Sequence, residues 1–306
     1  MSSPAHQPPQ LARANGIDIC YEIFGDRDAE PMLLIMGLGA QMVLWDDEFC
    51  ERLAAQGFRV IRFDNRDIGQ SSKFTGGKPL TPLELLKLRF FRIPVVSPYR
   101  LRDMAEDTIG LMDALGIPSA HLVGASMGGM IAQEVAISFP RRVRSLTSIM
   151  STTGNPKVPP PTRAVTAMLM MPPAKTKEEY VVRFAKVWKI LRVGSFPDDE
   201  ELDRSRAERV FERGLYPAGR ERQLRAILAS GNRKERLRAV KAPTLVIHGT
   251  VDPLVHPAGG RDTAAAIPGA KLLMIEAMGH ALPIRMWPQV IDAIAAHARG
   301  AAAKAA

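Results

Sequence analysis

Short apolar segments alternate with longer amphipathic segments along most of this chain, and this alternation restricts the fold more than any other feature. The apolar segments are rich in β-branched residues and too short for typical helices, so they are candidate strands. They cover residues 17–24, 32–36, 60–63, 121–125, 146–150, 244–248 and 272–275. Apolar residues recur at intervals of three and four in 46–56, 102–115, 127–139 and 283–296, a spacing that predicts helices. The sequence therefore predicts an α/β fold with a mostly parallel, doubly wound sheet.

The alternation stops after Thr153 and resumes at Thr244. The interval holds a segment of Pro and Lys, a Met-rich apolar piece and an Arg-rich helical pattern. We expect a helical cap at 154–235, inserted into a core made of 15–153 and 236–300, over the carboxyl edge where open α/β sheets bind ligands. Residues 1–14 begin with MSSPAHQPPQ, which lacks the basic start and apolar centre of a secretion signal, and are predicted to be a disordered tail.

Composition excludes several classes of partner. No apolar run reaches the ~20 residues of a membrane helix, so no membrane partner is predicted. The net charge is +9, but the fifteen basic residues of 183–238 are interspersed with nine acidic ones and not with aromatic residues, which is typical of solvated helices and not of a nucleic-acid site. Whether this basic segment contacts an anionic partner, and whether the chain forms a homodimer, stay open.

The two cysteines, Cys20 and Cys50, are too few for a disulfide framework and lack zinc-site spacing. We interpret them as buried thiols in a reducing compartment, and we expect the protein to be cytoplasmic. No cluster of His, Cys or carboxylate residues has ligand spacing, so no metal and no cofactor is predicted.

The sharpest motif is Gly124-Ala125-Ser126-Met127-Gly128, which lies between a predicted strand and a predicted helix. A strand that turns sharply into a helix needs glycines beside the serine, and the turn lifts the hydroxyl above the edge of the sheet. In this setting Ser126 is predicted to be a nucleophile. The alternative is a glycine-rich connection with an incidental serine.

A serine hydroxyl reacts only when a base takes its proton, so an orienting carboxylate and a histidine should follow in the chain. Asp252 follows the strand at 244–248, and His280 lies in the loop after the strand at 272–275. Ser, Asp and His in this order are typical of the α/β-hydrolase arrangement. Glu276 is the alternative acid. The other five histidines, His248 among them, are interpreted as packing residues or residues near the termini.

Backbone amides should stabilise the oxyanion that forms when serine attacks a carbonyl. The amide of Met127 is one candidate, and the amide of Leu38, in the glycine-bearing loop 36–39, is the other. Gly37 lets the loop approach substrate closely. The polar run at 64–71 is interpreted as scaffolding, in which Arg66 or the aspartates satisfy backbone groups, and direct contact with substrate is the alternative. The loop at 36–39 could also be a plain glycine turn.

Three further side chains are candidates for substrate contact. Trp45 follows the oxyanion loop, while Met168 and Met171 lie in the apolar piece of the insertion. Methionine adapts to irregular apolar shapes, which suits a tolerant acyl or alkyl pocket. Ordinary core packing explains the same residues equally well.

On these motifs, residues 17–150 and 240–298 resemble the α/β-hydrolase superfamily, and MGLGAQMVLWDDEFCERLAAQGFRVIRFDNRDIGQSS (36–72) is similar to the aclacinomycin methylesterase-like group. The resemblance implies an eight-stranded sheet with a helical cap, a triad of Ser126, His280 and Asp252, and no metal or organic cofactor. Many relatives have His-Gly where Met36-Gly37 stands, and many have Gly at the position of Asp67. These departures bear on substrate choice more than on reaction type.

The expected activity is hydrolysis of a small carboxylic ester through an acyl-enzyme intermediate. A lactonase, a carbon–carbon bond hydrolase and a cofactor-free perhydrolase would use the same triad, so the natural substrate and the acyl-chain preference stay open. A ligand-binding receptor with little turnover is an alternative from another class.

Overall fold

The computed structural model describes residues 6–77, 80–91, 93–194, 196 and 199–305, with the side chains of residues 89, 304 and 305 outside that description. Eight strands run through these residues: β1 (His6–Ala14), β2 (Ile17–Phe24), β3 (Glu30–Ile35), β4 (Phe58–Phe63), β5 (Ala120–Ala125), β6 (Val143–Ile149), β7 (Thr244–Gly249) and β8 (Lys271–Ile275). The seven strands predicted from the sequence are confirmed as β2 to β8.

Eleven helices connect or flank these strands in the described part of the chain. They are α1 (Asp47–Ala54), α2 (Pro82–Phe91), α3 (Leu101–Ala114), α4 (Met127–Ser138), α5 (Arg163–Leu169), α6 (Lys177–Arg192), α7 (Glu200–Glu212), α8 (Pro217–Ser230), α9 (Lys234–Leu237), α10 (Ala258–Ala266) and α11 (Trp287–Ala305). Short 3-10 turns stand at Met42–Leu44, Pro140–Arg142 and Ile284–Met286. No helix among the described residues is long and apolar enough to cross a membrane.

All eight strands form one sheet in the order β1-β2-β4-β3-β5-β6-β7-β8. Strands β1 and β2 pair antiparallel, β2 pairs antiparallel with β4, and every further neighbouring pair is parallel. The carboxyl ends of β3 to β8 therefore share one edge of the sheet. The predicted fold class, a mostly parallel eight-stranded α/β sheet, is confirmed.

Helices cover both faces of the sheet because its strands are apolar on both sides. One buried cluster joins the sheet to α3 and α4 through side chains such as Leu111, Met112, Ile131 and Val135. The cluster on the other face joins the sheet to α1 and α11 through Phe49, Leu53, Trp287, Ile291 and Ile294. The sheet is thus packed between two layers of helices, and the loops at its carboxyl edge can carry a site.

The first strand corrects the prediction of a disordered tail. Residues 6–14, assigned to that tail at 1–14, form β1, and residues 1–5 lie outside the described residues. The turn Asn15-Gly16 takes positive φ at both positions, 47° and 77°, which is the two-residue turn that best joins antiparallel strands. The pairing with β2 shifts register between Gln7 and Gln10, so the ladder accommodates the proline pair between them.

Helices α5 to α8 lie between β6 and β7, within the range predicted to be a cap. Helix α2 was not expected, and it joins this group through Glu84, which accepts two hydrogen bonds of 3.0 Å from Arg225 of α8. The basic residues of α7 and α8 do not form a plain solvated face. Arg206 pairs with Asp46, and Arg222 pairs with Asp67 through two bonds of 2.9 Å, so these helices are tied to the core by ion pairs.

Candidate active site

Ser126 stands at the turn between β5 and α4 in a backbone conformation that non-glycine residues rarely adopt. Its φ is 55° and its ψ is −119°, and the carbonyl of Ile149 fixes its amide at 2.9 Å. The turn is tight because α4 begins against β3: a Cβ at Gly128 would lie 2.0 Å from the carbonyl oxygen of Ile35. Strain of this kind persists where the surrounding structure imposes it, and it clusters at functional sites.

Asp252 and His280 meet at the same edge of the sheet. His280 Nδ1 lies 2.7 Å from Asp252 Oδ2, while Asp252 Oδ1 accepts hydrogen bonds from the amides of Leu254 at 2.9 Å and Val255 at 2.8 Å. The carboxylate is thus held by both oxygens. The His280 backbone amide donates to the carbonyl of Leu191 in α6 at 2.8 Å, so the insertion positions the histidine loop.

The surroundings of Asp252 favour its ionised form. Burial alone would raise its pKa, but the charge of His280 and hydrogen bonds from His248 and His280 outweigh desolvation and hold the pKa well below its usual range. An ionised Asp252 keeps the proton of His280 on Nδ1, so Nε2 is free to accept one. Glu276, the alternative acid, is exposed at the end of β8.

His248 is a neighbour of Asp252 that sequence reasoning assigned to packing alone. Its Nε2 lies 2.8 Å from the carbonyl of Val255 and 3.4 Å from Asp252 Oδ2, and its side chain is completely buried. A carbonyl oxygen only accepts hydrogen bonds, so Nε2 is the donor of this bond and carries a hydrogen. The sequence feature that could have indicated its contact with Asp252 is its position at the end of β7, four residues before that aspartate.

Ser126 and His280 do not make a hydrogen bond with each other in this structure. Such bonds are often long without substrate and shorten in the complex. Ser126 follows β5 and His280 follows β8, so both belong to the loops of one edge. The structure therefore joins two of the three predicted catalytic residues directly and places the third on the same edge.

The two predicted oxyanion donors belong to segments that adjoin Ser126. Met127 opens α4, and Leu38 follows Gly37, where a Cβ would lie 3.2 Å from Cβ and 3.7 Å from Oγ of Ser126. Within the described residues, neither the Leu38 amide nor the Met127 amide donates to a protein acceptor. Free amides beside a serine hydroxyl can bind the oxygen of a carbonyl.

The polar loop at 64–71 supports this arrangement. Asn65 donates to the carbonyl of Met36 at 2.9 Å, and Asp64 accepts from the amides of Met42 at 2.8 Å and Gln70 at 2.9 Å. The prediction that an aspartate of this run satisfies backbone groups is confirmed. The run fixes the peptide that leads into the predicted donor loop.

The predicted substrate-contact residues fall in different surroundings. Trp45 is buried to 2% exposure and stacks on Phe49 at 5.4 Å, so its side chain belongs to the core. Met168 in α5 and Met171 just after that helix are half-buried. Core packing was the alternative for these side chains, and the structure supports it for Trp45.

A cavity of about 490 Å³ lies between the insertion and the loop that follows His280. Its walls include Trp188, Leu202, Arg206, Leu282, Pro283 and Ile284. Ser126, Asp252 and His280 are not among its lining residues, although Ala281 is. No group of three His, Cys, Asp or Glu side chains that could hold a metal ion occurs in the described ranges.

The fold and this edge of the sheet define a family. The chain matches the alpha/beta hydrolase fold family over residues 30–284 and belongs to it. It is 31% identical to the rhodomycin D methylesterase DauP of Streptomyces sp. (strain C5), and 30% identical to the rhodomycin D methylesterase DnrP of Streptomyces peucetius. Each alignment covers 96% of this chain and 99% of the relative. The predicted resemblance to a methylesterase-like group of this superfamily is confirmed.

Solved structures agree on the fold. The meta-cleavage product hydrolase CumD of Pseudomonas fluorescens IP01 superposes with a TM-score of 0.76 at 21% identity, and the comparison covers 95% of this chain and 98% of that one. The enol-lactonase of Burkholderia xenovorans LB400 superposes with a TM-score of 0.73 at 23% identity, covering 94% and 99%.

Proposed function

We propose that this protein hydrolyses a carboxylic ester, with Ser126 as nucleophile, His280 as general base and acid, and Asp252 as orienting acid. The observation that carries the proposal is the 2.7 Å contact between His280 Nδ1 and Asp252 Oδ2, at the edge of the sheet where Ser126 has a positive φ of 55°. The two relatives named as methylesterases support ester hydrolysis and a methyl ester as the substrate class.

In the first half-reaction, Ser126 Oγ bonds to the ester carbonyl carbon while its proton passes to His280 Nε2. The carbonyl oxygen takes the negative charge and accepts hydrogen bonds from the amides of Leu38 and Met127. Collapse of this intermediate breaks the bond to the alkoxy group, which leaves as an alcohol with the proton from His280. Water then repeats the sequence on the acyl-enzyme, with His280 again taking and returning a proton.

The experiment is hydrolysis of methyl esters and p-nitrophenyl esters of increasing acyl length by the parent and by Ser126→Ala. Loss of the nucleophile should reduce turnover by ~10⁴-fold or more, because only binding and the oxyanion donors remain. Ser205→Ala is the matched control, since Ser205 is an exposed serine of α7. A Ser126→Ala protein that folds and keeps a tenth of the parent rate would refute the assignment.

A further inference from the structure

Arg220 of α8 packs directly on the predicted oxyanion loop. Gly39 has φ of +68°, and a Cβ there would lie 2.9 Å from both Cγ and Cδ of Arg220 and 3.3 Å from its Cβ. The aliphatic stem of the arginine therefore covers the backbone of Gly39. The Gly39 amide is also held from α8, because it donates to Gln223 Oε1 at 2.9 Å.

Arg220 differs from the arginines around it in its charge partners. Ion pairs with Asp46, Asp64, Asp67 and Glu84 are formed, respectively, by Arg206 of α7, by Arg213 directly after α7, and by Arg222 and Arg225 of α8. Arg220 forms no ion pair with any residue that the structure describes, and its only side-chain hydrogen bond there is from Nη2 to the carbonyl of Leu169, at 3.3 Å.

The guanidinium of Arg220 is nevertheless partly withdrawn from water. Burial lowers the pKa of Arg220 despite the opposing charge of Glu221, yet an arginine stays protonated at neutral pH. Glu221 itself accepts a hydrogen bond from the amide of Leu80 at 2.6 Å. A guanidinium has five N–H donors, and a half-desolvated one with a single long bond keeps most of them available for a ligand.

The N–H donors of Arg220 lie near the predicted oxyanion loop and near the part of the insertion predicted to contact substrate. The loop from Gly37 to Gly39 touches Ser126 at its first residue and Arg220 at its last, with Leu38 between them. The carbonyl that Arg220 reaches belongs to the last residue of α5, the helix that carries Met168. Arg220 thus spans from the predicted oxyanion loop to the part of the insertion predicted to contact substrate.

We propose that Arg220 binds a carboxylate carried by the ester substrate, so that the protein prefers esters that bear a second, anionic group. The proposal rests on the ester-hydrolase function above. A planar guanidinium matches the two oxygens of a carboxylate, and a charge-assisted pair in a site shielded from water is stronger than a neutral hydrogen bond. Arg220 acts on substrate specificity and takes no part in bond breaking.

The test compares monomethyl with dimethyl esters of dicarboxylic acids of four to eight carbons. For the parent, we expect a lower KM for the monomethyl ester at one chain length. Arg220→Met keeps an unbranched stem over Gly39 and removes the charge, so it should raise that KM by ~10- to 100-fold and leave the dimethyl ester within about twofold. Arg204→Met, at an exposed arginine of α7, is the matched control and should change neither.

A binding measurement makes the outcome independent of turnover. Calorimetric titration of Ser126→Ala with the same monomethyl ester should show binding that Arg220→Met, added to it, weakens by a similar factor. If Arg220→Met raised the KM of the monomethyl and the dimethyl ester by the same factor, Arg220 would have a purely structural role and the proposal would be overturned. A KM for monomethyl esters that Arg220→Met leaves unchanged would overturn it as well. A parent that hydrolyses no ester, with Arg220-dependent binding intact, would refute the proposed activity and keep the carboxylate site.

Discussion

Replacement of Asp252 by asparagine changes one carboxylate oxygen to an amide nitrogen at the centre of the proposed triad. The structure dictates how the new amide would orient. The amides of Leu254 and Val255 both donate to Oδ1. Asparagine must place its carbonyl oxygen at that position, because its NH₂ group there would face two N–H donors and could accept from neither. Its NH₂ group then faces His280 Nδ1.

That orientation reverses the roles of the two nitrogens of His280. Nδ1 becomes the acceptor of the asparagine NH₂, and the ring proton moves to Nε2, where it blocks removal of the proton of Ser126. We expect kcat to fall by ~10³- to 10⁴-fold, which corresponds to ~4 to 5.5 kcal/mol of activation free energy. The assay is steady-state hydrolysis of a methyl ester, with thermal melting to verify the fold.

Glu276→Gln is the matched control, because Glu276 is exposed and precedes His280 by four residues. It should leave kcat within about twofold. If Glu276→Gln abolished turnover while Asp252→Asn kept most of it, in two proteins that melt like the parent, the acid assignment would be wrong although a serine mechanism could survive.

Three further predictions follow from packing, titration and composition. Gly128→Ala should destabilise the fold by ~3 kcal/mol or more, because its Cβ would overlap the carbonyl of Ile35. Gly300→Ala is the control and should not destabilise the fold, because there is open space around its Cβ. Chemical denaturation measures the free energy of unfolding of both variants. Burial raises the pKa of Cys20 to about 11 and that of Cys50 to about 12, so both thiols stay neutral in the folded protein below those values. We therefore expect both cysteines to resist a thiol reagent at pH 8.5 in the folded protein and to react once it is unfolded. Rapid labelling of the native protein would contradict this. Dialysis against EDTA should leave activity unchanged, since no three-residue ligand cluster occurs in the described residues, and rescue by a divalent ion would overturn that expectation.

The same raised thiol pKa values set a direction for stability against pH. The unfolded chain releases a thiol proton near pH ~8.5, whereas the folded chain holds it to higher pH. The stability that comes from keeping these thiols neutral is fully present below the unfolded pKa, and it is lost as the pH rises from there toward about 11 for Cys20 and about 12 for Cys50. Denaturation series at pH 8 and pH 10 should show this decline, and Cys50→Ala should reduce it.

The sequence predicted the parts of the molecule that depend on local patterns. Strands β2 to β8 are apolar runs, and Ser126, Asp252 and His280 are each marked by the end of such a run, so their common edge follows from parallel pairing. Strand β1 was missed because its sequence, HQPPQLARA, is mostly polar and contains Pro8 and Pro9. The local signal for it is the turn Asn15-Gly16, which the prediction did not use.

Other features depend on contacts between distant segments and left no local signal. Gln223 and Arg220 meet the loop at Gly39 across more than 180 positions, and Arg222 meets Asp67 across 155. Their helical spacing resembles that of any charged surface helix. Trp45 was assigned to substrate because it is near the oxyanion loop in sequence, whereas its buried ring lies against Phe49 and α1.

The attachment of α8 determines the order in which this protein should lose its properties on denaturation. Gln223 accepts a hydrogen bond from the amide of Gly39 and donates one to the carbonyl of Arg66 at 2.8 Å. Arg222 forms an ion pair with Asp67. Detachment of α8 would release both loops at once, although the hydrogen-bond ladder of β3 to β8 does not depend on that helix. Ester hydrolysis should therefore be lost at a lower concentration of urea than the concentration at which the circular dichroism signal of the sheet is lost.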